Sequence, residues 1–239
     1  PRPTRTAAAS PSNGAPSRGR TPTLSTVVAD VTGRPAHHRG EAFWTDAALL
    51  ADAVGAVGAP PISRESYLEA HRQNLTGETR APIFEDLLDD DVGNVHAEEL
   101  AREYREAIND ALVPVPGVEV MLASLRERYP VGLLTNGPTV AQREKLAVLG
   151  WPDAFDAVVI TGELAAGKPD AAAFEALVAR LGSPPEETVY VGDEVEADVA
   201  GAADAGLAVV QVVFPGGPGP DPRADAHVAR DDLARELPS

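Results

Sequence analysis

From residue 116 onward the sequence alternates between segments of helical periodicity and short, almost entirely apolar runs. The apolar runs cover residues 130–135, 156–161, 187–191 and 207–213, and the helical segments cover residues 117–128, 138–149, 170–181 and 195–205. Apolar runs of this length are typical of strands that are buried on both faces, and strands separated by helices pair in parallel. The alternation therefore predicts an α/β fold whose core is a doubly wound, Rossmann-like parallel sheet.

The chain before this alternation divides into three parts. Residues 1–23 are rich in Pro, Ser, Thr, Arg, Ala and Gly and have no apolar periodicity, so we expect a disordered tail. Residues 24–30 (LSTVVAD) form a β-branched run and predict a first strand that ends at an acidic residue. Residues 45–112 show helical periodicity and no convincing strand, which predicts a helical layer.

The helical layer is inserted between the first strand and the remaining strands. Its helices are predicted over residues 45–57, 63–74, 81–89 and 97–112, with Ser63 capping the second. The domain organisation that follows is a core of residues 24–44 and 113–239 with a helical cap formed by residues 45–112.

Polar residues follow three of the predicted strands. They supply a hydroxyl, an amide, a lysine and two carboxylates: Thr135, Asn136, Gly137, Lys168, Asp193 and Asp198. Because ligands of open parallel sheets lie beyond the carboxyl ends of the strands, we expect these groups to converge at one edge. A lysine and a hydroxyl neutralise and hydrogen-bond a phosphoryl group, and paired acids hold Mg²⁺. An aspartate nucleophile would form an aspartyl-phosphate and divide the reaction into two steps.

Three of these segments resemble motifs of the haloacid dehalogenase-like superfamily. They are LLTNG, GKPDAAAF and VYVGDEVEADVAGAADAGL, in the order of the family's second, third and fourth motifs. The match covers about residues 112–214, and the helical segment 45–112 resembles the cap of the phosphoglycolate phosphatase-like branch. The fourth motif is the most specific, because its Gly-Asp-x4-Asp is followed by an ordered Gly-Ala pattern.

The resemblance implies a role for each matched residue. Thr135 would bind phosphate, with Asn136 and Gly137 beside it, and Lys168 would bridge the phosphate and the nucleophile. Asp193 would ligate Mg²⁺, and Asp198 would support the metal site or orient Lys168. Relatives with this fourth motif are mostly Mg²⁺-dependent phosphatases.

The first motif departs from the family pattern Asp-x-Asp-x-Thr. In one alignment Asp30 is the nucleophile, Thr32 occupies the acid/base position and Arg34 replaces the final Thr. In the other, Asp30 and Thr32 match the second Asp and the Thr, so that Val28 replaces the nucleophile. We prefer the first, because residues 27–29 form a strand that ends at Asp30, and it makes Asp30 and Thr32 metal-site candidates with Asp193 and Asp198.

Composition limits the function further. The chain has no cysteine, which excludes disulfides, thiol catalysis and cysteine-bound metals, and its net charge of −17 argues against nucleic acids and anionic membranes as partners. No apolar stretch predicts a membrane span or a signal peptide, so we expect a cytoplasmic protein. The acidic, lysine-poor composition resembles that of proteins from salt-loving archaea, although a GC-rich bacterial gene would also favour Ala, Arg, Gly and Pro. Lys145, one of only two lysines, is predicted on an exposed helix face.

These observations lead to one principal hypothesis and two alternatives. The first is a Mg²⁺-dependent phosphatase, monomeric or homodimeric, that acts on a small phosphorylated metabolite. The second is a catalytically silent homologue that binds such a metabolite, because the first motif is degenerate. The third is a carbon–halogen hydrolase, against which the acidic fourth motif argues.

Overall fold

The computed structural model describes residues 26–29, 47–88, 93–112, 114 and 116–237, and only the backbone of residues 26–29 and 93–96. Within these ranges six strands form one sheet, in which every pair is parallel and the order is β3-β2-β1-β4-β5-β6. The strands are β1 (Thr26–Ala29), β2 (Val131–Thr135), β3 (Ala157–Ile160), β4 (Thr188–Gly192), β5 (Ala208–Val213) and β6 (Ala226–Ala229). This topology confirms the predicted α/β fold, and the strand order reverses between β1 and β4, where such sheets bind ligands.

Helices lie between the strands along the chain. Five of the described helices come between β1 and β2: α1 (Ala47–Val57), α2 (Arg64–Gln73), α3 (Ala81–Glu85), α4 (Gly93–Ala111) and α5 (Val118–Arg126). Four follow β2: α6 (Thr139–Val148), α7 (Ala171–Leu181), α8 (Gly201–Asp204) and α9 (Leu233–Glu236). The capping role of Ser63 is confirmed, because its hydroxyl accepts a hydrogen bond from the Ser66 N–H at the start of α2. None of the described helices has the length and apolar content that crossing a membrane requires.

Both faces of the sheet are covered by apolar packing. All five residues of β2 are buried, and because successive side chains of a strand point to opposite faces, Leu133 and Leu134 belong to different core clusters. Leu134 packs in the cluster that contains Phe174 and Leu177 of α7, whereas Leu133 packs in the one that contains Met121 of α5. Burial on both faces explains why the strands are continuous apolar runs.

Helices α1 to α4 form a helical cap with its own aromatic centre. Tyr67 of α2, Phe84 of α3 and Tyr104 of α4 are completely buried and contact one another, with ring centroids 5.3 to 6.0 Å apart. The Tyr104 ring meets the other two edge to face, and edge-to-face rings at these distances pack favourably. The cap is therefore held together by its own core as well as by its contacts with the sheet.

Two elements differ from the sequence prediction. The helix predicted over residues 195–205 begins as a π-helical segment (Val195–Ala200), because the Glu194 carbonyl accepts from the N–H groups of both Asp198 and Val199. Strand β6 was not predicted, since only Val228 among its four residues is buried and the apolar pattern is correspondingly weak.

Candidate functional site

The structure brings Thr135, Asn136 and Lys168 together in the wall of one cavity of about 380 Å³. These residues come from the end of β2 and from the loop before α7, and cap residues close the cavity from the other side. Residues at the tips of neighbouring parallel strands and residues of the inserted helices thus face the same space.

Lys168 is the most constrained charged group of the cavity. Its side chain is 2% exposed, and its Nζ donates to Asp198 Oδ1 at 2.6 Å and to the Tyr190 hydroxyl at 2.9 Å. The Tyr190 hydroxyl in turn donates to Asp198 Oδ1 at 2.8 Å. Charge-assisted hydrogen bonds of this kind hold the ammonium group in one place at the cavity wall.

Asp198 uses its second carboxylate oxygen to bind the backbone. Oδ2 accepts hydrogen bonds from the N–H groups of Asp193 and Glu194 at 3.1 and 3.0 Å. Gly192 permits this approach, since a Cβ at that position would lie 2.5 Å from the Asp198 side chain. With both oxygens engaged in this way, the geometry favours the second of the two roles expected for Asp198, the orientation of Lys168.

Asn136 and Gly137 also contact their neighbours in the protein. The Asn136 side chain accepts from the Lys168 N–H at 2.8 Å and donates to the Lys168 carbonyl at 3.0 Å, so it holds the backbone of that residue at both polar groups. The Gly137 N–H donates to Thr161 Oγ1 at 3.0 Å. These contacts fit positioning of the loops, whereas Thr135, buried at the end of β2, lines the cavity.

Asp193 lies at the tip of β4 beside a cation that the sequence analysis did not single out. Arg230, from the segment after β6, pairs with Asp193 Oδ2 at 3.2 Å, and its guanidinium lies 3.5 Å from the centroid of the Phe214 ring. The Asp193 carboxylate keeps 20% of its surface exposed. Mg²⁺ prefers hard oxygen donors such as carboxylates, so the partly exposed Asp193 is suited to be a metal ligand. Asp198 is less suited, because both of its oxygens already accept hydrogen bonds within the protein.

The other two metal-site candidates, Asp30 and Thr32, lie outside the described residues. Strand β1, which precedes them in the sequence, lies between β2 and β4, and its last residue, Ala29, pairs with Val191. In sequence, Asp30 is thus one residue beyond Ala29, and Asp193 is two beyond Val191. Within the described ranges no three His, Asp or Glu side chains are grouped to hold a metal, and the expected ligand set includes residues beyond those ranges.

Backbone hydrogen bonds dock the cap onto the ends of β2 and β3. The Gly77 N–H donates to the Gly162 carbonyl at 3.2 Å, and the Gly77 carbonyl accepts from the Thr139 N–H at 3.1 Å. Thr161 Oγ1 donates to the Leu75 carbonyl at 3.0 Å. The approach is so close that a Cβ on Gly162 would lie 2.4 Å from the Gly77 carbonyl oxygen. This contact places the segment after α2, with Arg80, against the cavity.

The cavity contains residues that the sequence analysis missed or misjudged. Lys145 was predicted to be exposed, and this prediction is wrong: its side chain is buried, because α6 presents Ala141, Gln142, Lys145 and Leu146 as its inner face. Arg80 is also buried and lines the same cavity. The rarity of lysine in this arginine-rich chain was a signal that Lys145 is unusual.

His71 lines the cavity and has a lowered pKa. Burial, together with the charges of Arg80, Lys145 and Arg72, lowers the pKa of His71 to about 3. The imidazole is therefore neutral at neutral pH, and the cap side of the cavity carries positive charge.

Comparison with known proteins adds sequence and fold relatives. The model of the haloacid dehalogenase-like hydrolase family matches residues 24–206. The chain is 39% identical over 140 residues to phosphoserine phosphatase of Thermus thermophilus, an alignment that covers 57% of this chain and 55% of that protein. It is 42% identical over 102 residues to glyceraldehyde 3-phosphate phosphatase of Methanopyrus kandleri, covering 42% of this chain and 44% of the relative. The chain therefore spans about half the length of these curated relatives.

Among solved structures, a HAD phosphatase from Thermococcus onnurineus superposes with a TM-score of 0.61 at 24% identity. That superposition covers 90% of this chain and 97% of the other. It extends the likeness of fold to nearly the whole chain, cap included.

Proposed function

The chain belongs to the haloacid dehalogenase-like hydrolase family, and on this premise we propose that it is a Mg²⁺-dependent phosphatase of small phosphate monoesters. The observation that supports the proposal most is the buried ammonium group of Lys168, held by Asp198 and Tyr190 at the wall of the cavity. A buried cation in the same cavity wall as Thr135 is suited to bind an anionic phosphoryl group and the additional charge that develops on it during transfer.

The reaction that we propose has two steps. A carboxylate oxygen of Asp30 attacks the phosphorus atom, the bond to the ester oxygen breaks, and the alcohol leaves after taking up a proton. Water then attacks the phosphorus of the aspartyl-phosphate, which releases inorganic phosphate and restores the carboxylate. Lys168 and Thr135 bind the phosphoryl oxygens in both steps, and the docked cap keeps bulk water from the reacting group.

Asp193 would hold Mg²⁺ together with Asp30 and Thr32. When bound, the ion supplies positive charge that reduces the repulsion between a carboxylate nucleophile and an anionic substrate. Arg230 supplies a second positive charge beside Asp193.

Hydrolysis of p-nitrophenyl phosphate tests this proposal. We expect turnover with Mg²⁺, loss of turnover with EDTA, and about a hundredfold lower activity for Asp193→Asn at limiting Mg²⁺, because one charged ligand is lost. Rates are measured against Mg²⁺ concentration at low and at molar KCl, since the acidic composition favours activity at high salt.

The matched control is Asp204→Asn, which removes an exposed carboxylate on the nearby helix α8. It should keep the wild-type dependence on Mg²⁺. A folded wild-type chain without turnover would contradict the phosphatase and favour a silent homologue, and ester hydrolysis that survives EDTA would contradict the dependence on Mg²⁺.

The degenerate first motif gives a second prediction. With Thr32 in the acid/base position, the enzyme lacks the carboxylic acid that protonates a poor leaving group, so alkyl phosphates should react much more slowly than p-nitrophenyl phosphate. Thr32→Asp should raise the ratio of kcat for an alkyl phosphate to kcat for p-nitrophenyl phosphate by about tenfold to a hundredfold. The comparison variant is Thr32→Asn, which has similar size and no acid, and an equal change of the ratio in both variants would contradict this role for position 32.

A further inference from the structure

Arg80 is a buried cation, and no carboxylate of the described residues forms an ion pair with it. Its residue surface is 3% exposed, and within the described part of the chain its Nε and Nη1 atoms are buried without a hydrogen-bond partner. The guanidinium lies 5.8 Å from the centroid of the Tyr104 ring and interacts with the Tyr67 hydroxyl, a neutral group that does not balance its charge. Buried charges are normally paired, because an isolated one loses its hydration without compensation. These donors therefore indicate a ligand that supplies the missing acceptor.

The surroundings of Arg80 determine the charge of that ligand. Lys145 lines the same cavity, and its charge, like that of Arg80, contributes to the low pKa of His71. Two acidic residues that follow β4, Glu194 and Glu196, also line the cavity. In a chain with a net charge of −17, the burial of both Arg80 and Lys145 in one cavity wall is not a consequence of composition.

We propose that the substrate carries a second anionic group, a carboxylate or a second phosphate, and that Arg80 of the cap and Lys145 of the core bind it. This inference rests on the proposed phosphatase function: Lys168 and Thr135 take the reacting phosphate, and Arg80 and Lys145, which line the same cavity, take the second anion. A guanidinium is suited to this task, because its planar donors match the geometry of carboxylate and phosphate oxygens.

Gln142 indicates which functional group the substrate carries between its two anionic groups. Its Nε2 donates to the Asn136 carbonyl at 2.7 Å, while its Oε1 is a buried acceptor without a partner in the described part of the chain. A hydroxyl group on the substrate would supply that donor. A small phosphorylated hydroxy acid therefore matches the cavity in charge and in hydrogen bonding.

Two pairs of substrates test the proposal on the wild-type chain. 3-Phosphoglycerate is compared with glycerol 3-phosphate, which has a neutral hydroxymethyl group in place of the carboxylate, and 1,3-propanediol bisphosphate is compared with its monophosphate. We expect kcat/KM to be about 10- to 100-fold higher for the member with two anions in at least one pair, since a hydrogen-bonded charge pair contributes at this level. The pair that shows the preference identifies the anion, and equal kcat/KM within both pairs would overturn the proposal.

Calorimetric binding in EDTA, where no turnover is expected, separates this inference from the proposed function. Here the Kd of 3-phosphoglycerate or of the bisphosphate should be at least about tenfold lower than that of its partner. A preference in binding without turnover of any ester would contradict the phosphatase and retain the anion site. Turnover without preference in either assay would contradict the anion site and retain the phosphatase.

The variant Arg80→Gln should reduce the preference for two anions by about tenfold or more, and Arg80→Lys should retain part of it because the charge remains. The matched control is Arg64→Gln, which removes an exposed cation from the same cap. Circular dichroism establishes that each variant is folded, and if neither Arg80 variant folds, the wild-type comparison decides alone. A full preference in folded Arg80→Gln would show that another group binds the second anion and overturn the assignment.

Discussion

Replacement of Asp30 by asparagine should lower kcat for p-nitrophenyl phosphate by about 10⁴-fold or more, because loss of a nucleophile closes the covalent route. Asp30 is the first residue after β1 in the sequence, and β1 lies beside β4, which Asp193 directly follows. The same variant should form no phosphoenzyme. The measurement is steady-state kinetics together with acid quenching and mass spectrometry of the intact chain, which detects a covalently bound phosphoryl group.

The control for this experiment is Asp52→Asn, an equal change at an exposed position of helix α1. It should leave kcat and phosphoenzyme formation at the wild-type level. The leaving group distinguishes the two alignments of the first motif, since a nucleophile is needed for every ester and an acid mainly for poor leaving groups. If Asp30→Asn loses the hydrolysis of alkyl phosphates but retains that of p-nitrophenyl phosphate, Asp30 acts as the acid/base, and the route through a phosphoenzyme at Asp30 is contradicted.

Much of the fold could be predicted because its signals are local. The continuous apolar runs that became β2 to β5 are buried on both faces, and such runs are distinct from the amphipathic segments between them. The topology of parallel sheets then brings strand ends to one edge, which is why Thr135, Asn136 and Lys168 could be placed together before their distances were known. Strand β6 is a short edge strand with one buried side chain, too little for a periodic signal.

The burial of Arg80 and Lys145 in the cavity wall could not be predicted in the same way. Whether Lys145 is exposed depends on what packs against α6, and that is decided by the docking of the cap through Gly77 and Gly162. Arg80 lies 65 positions before Lys145 in the sequence, and no local pattern connects the two. Residues that act together across an interface between inserted helices and core become visible only in three dimensions.

The second large effect is expected for Lys168→Met. Turnover should fall by about 10²- to 10³-fold, because the variant lacks the positive charge that stabilises the phosphoryl group. The free energy of unfolding should also fall, by about 3 to 5 kcal/mol, because Asp198 is left as a buried charge without its cation. Chemical denaturation and steady-state kinetics on the same preparation measure the two effects.

The double variant Lys168→Met with Asp198→Asn separates catalysis from stability. It removes the uncompensated carboxylate, so it should recover part of the lost free energy of unfolding and none of the lost activity. The control is Arg102→Met, which breaks an exposed ion pair with Glu103 and should change neither quantity appreciably. Recovery of activity in the double variant would show that Lys168 serves only to neutralise Asp198. An unchanged free energy of unfolding in Lys168→Met would show that the buried Lys168–Asp198 pair does not form in solution. Asp198 and Tyr190 could then not position Lys168.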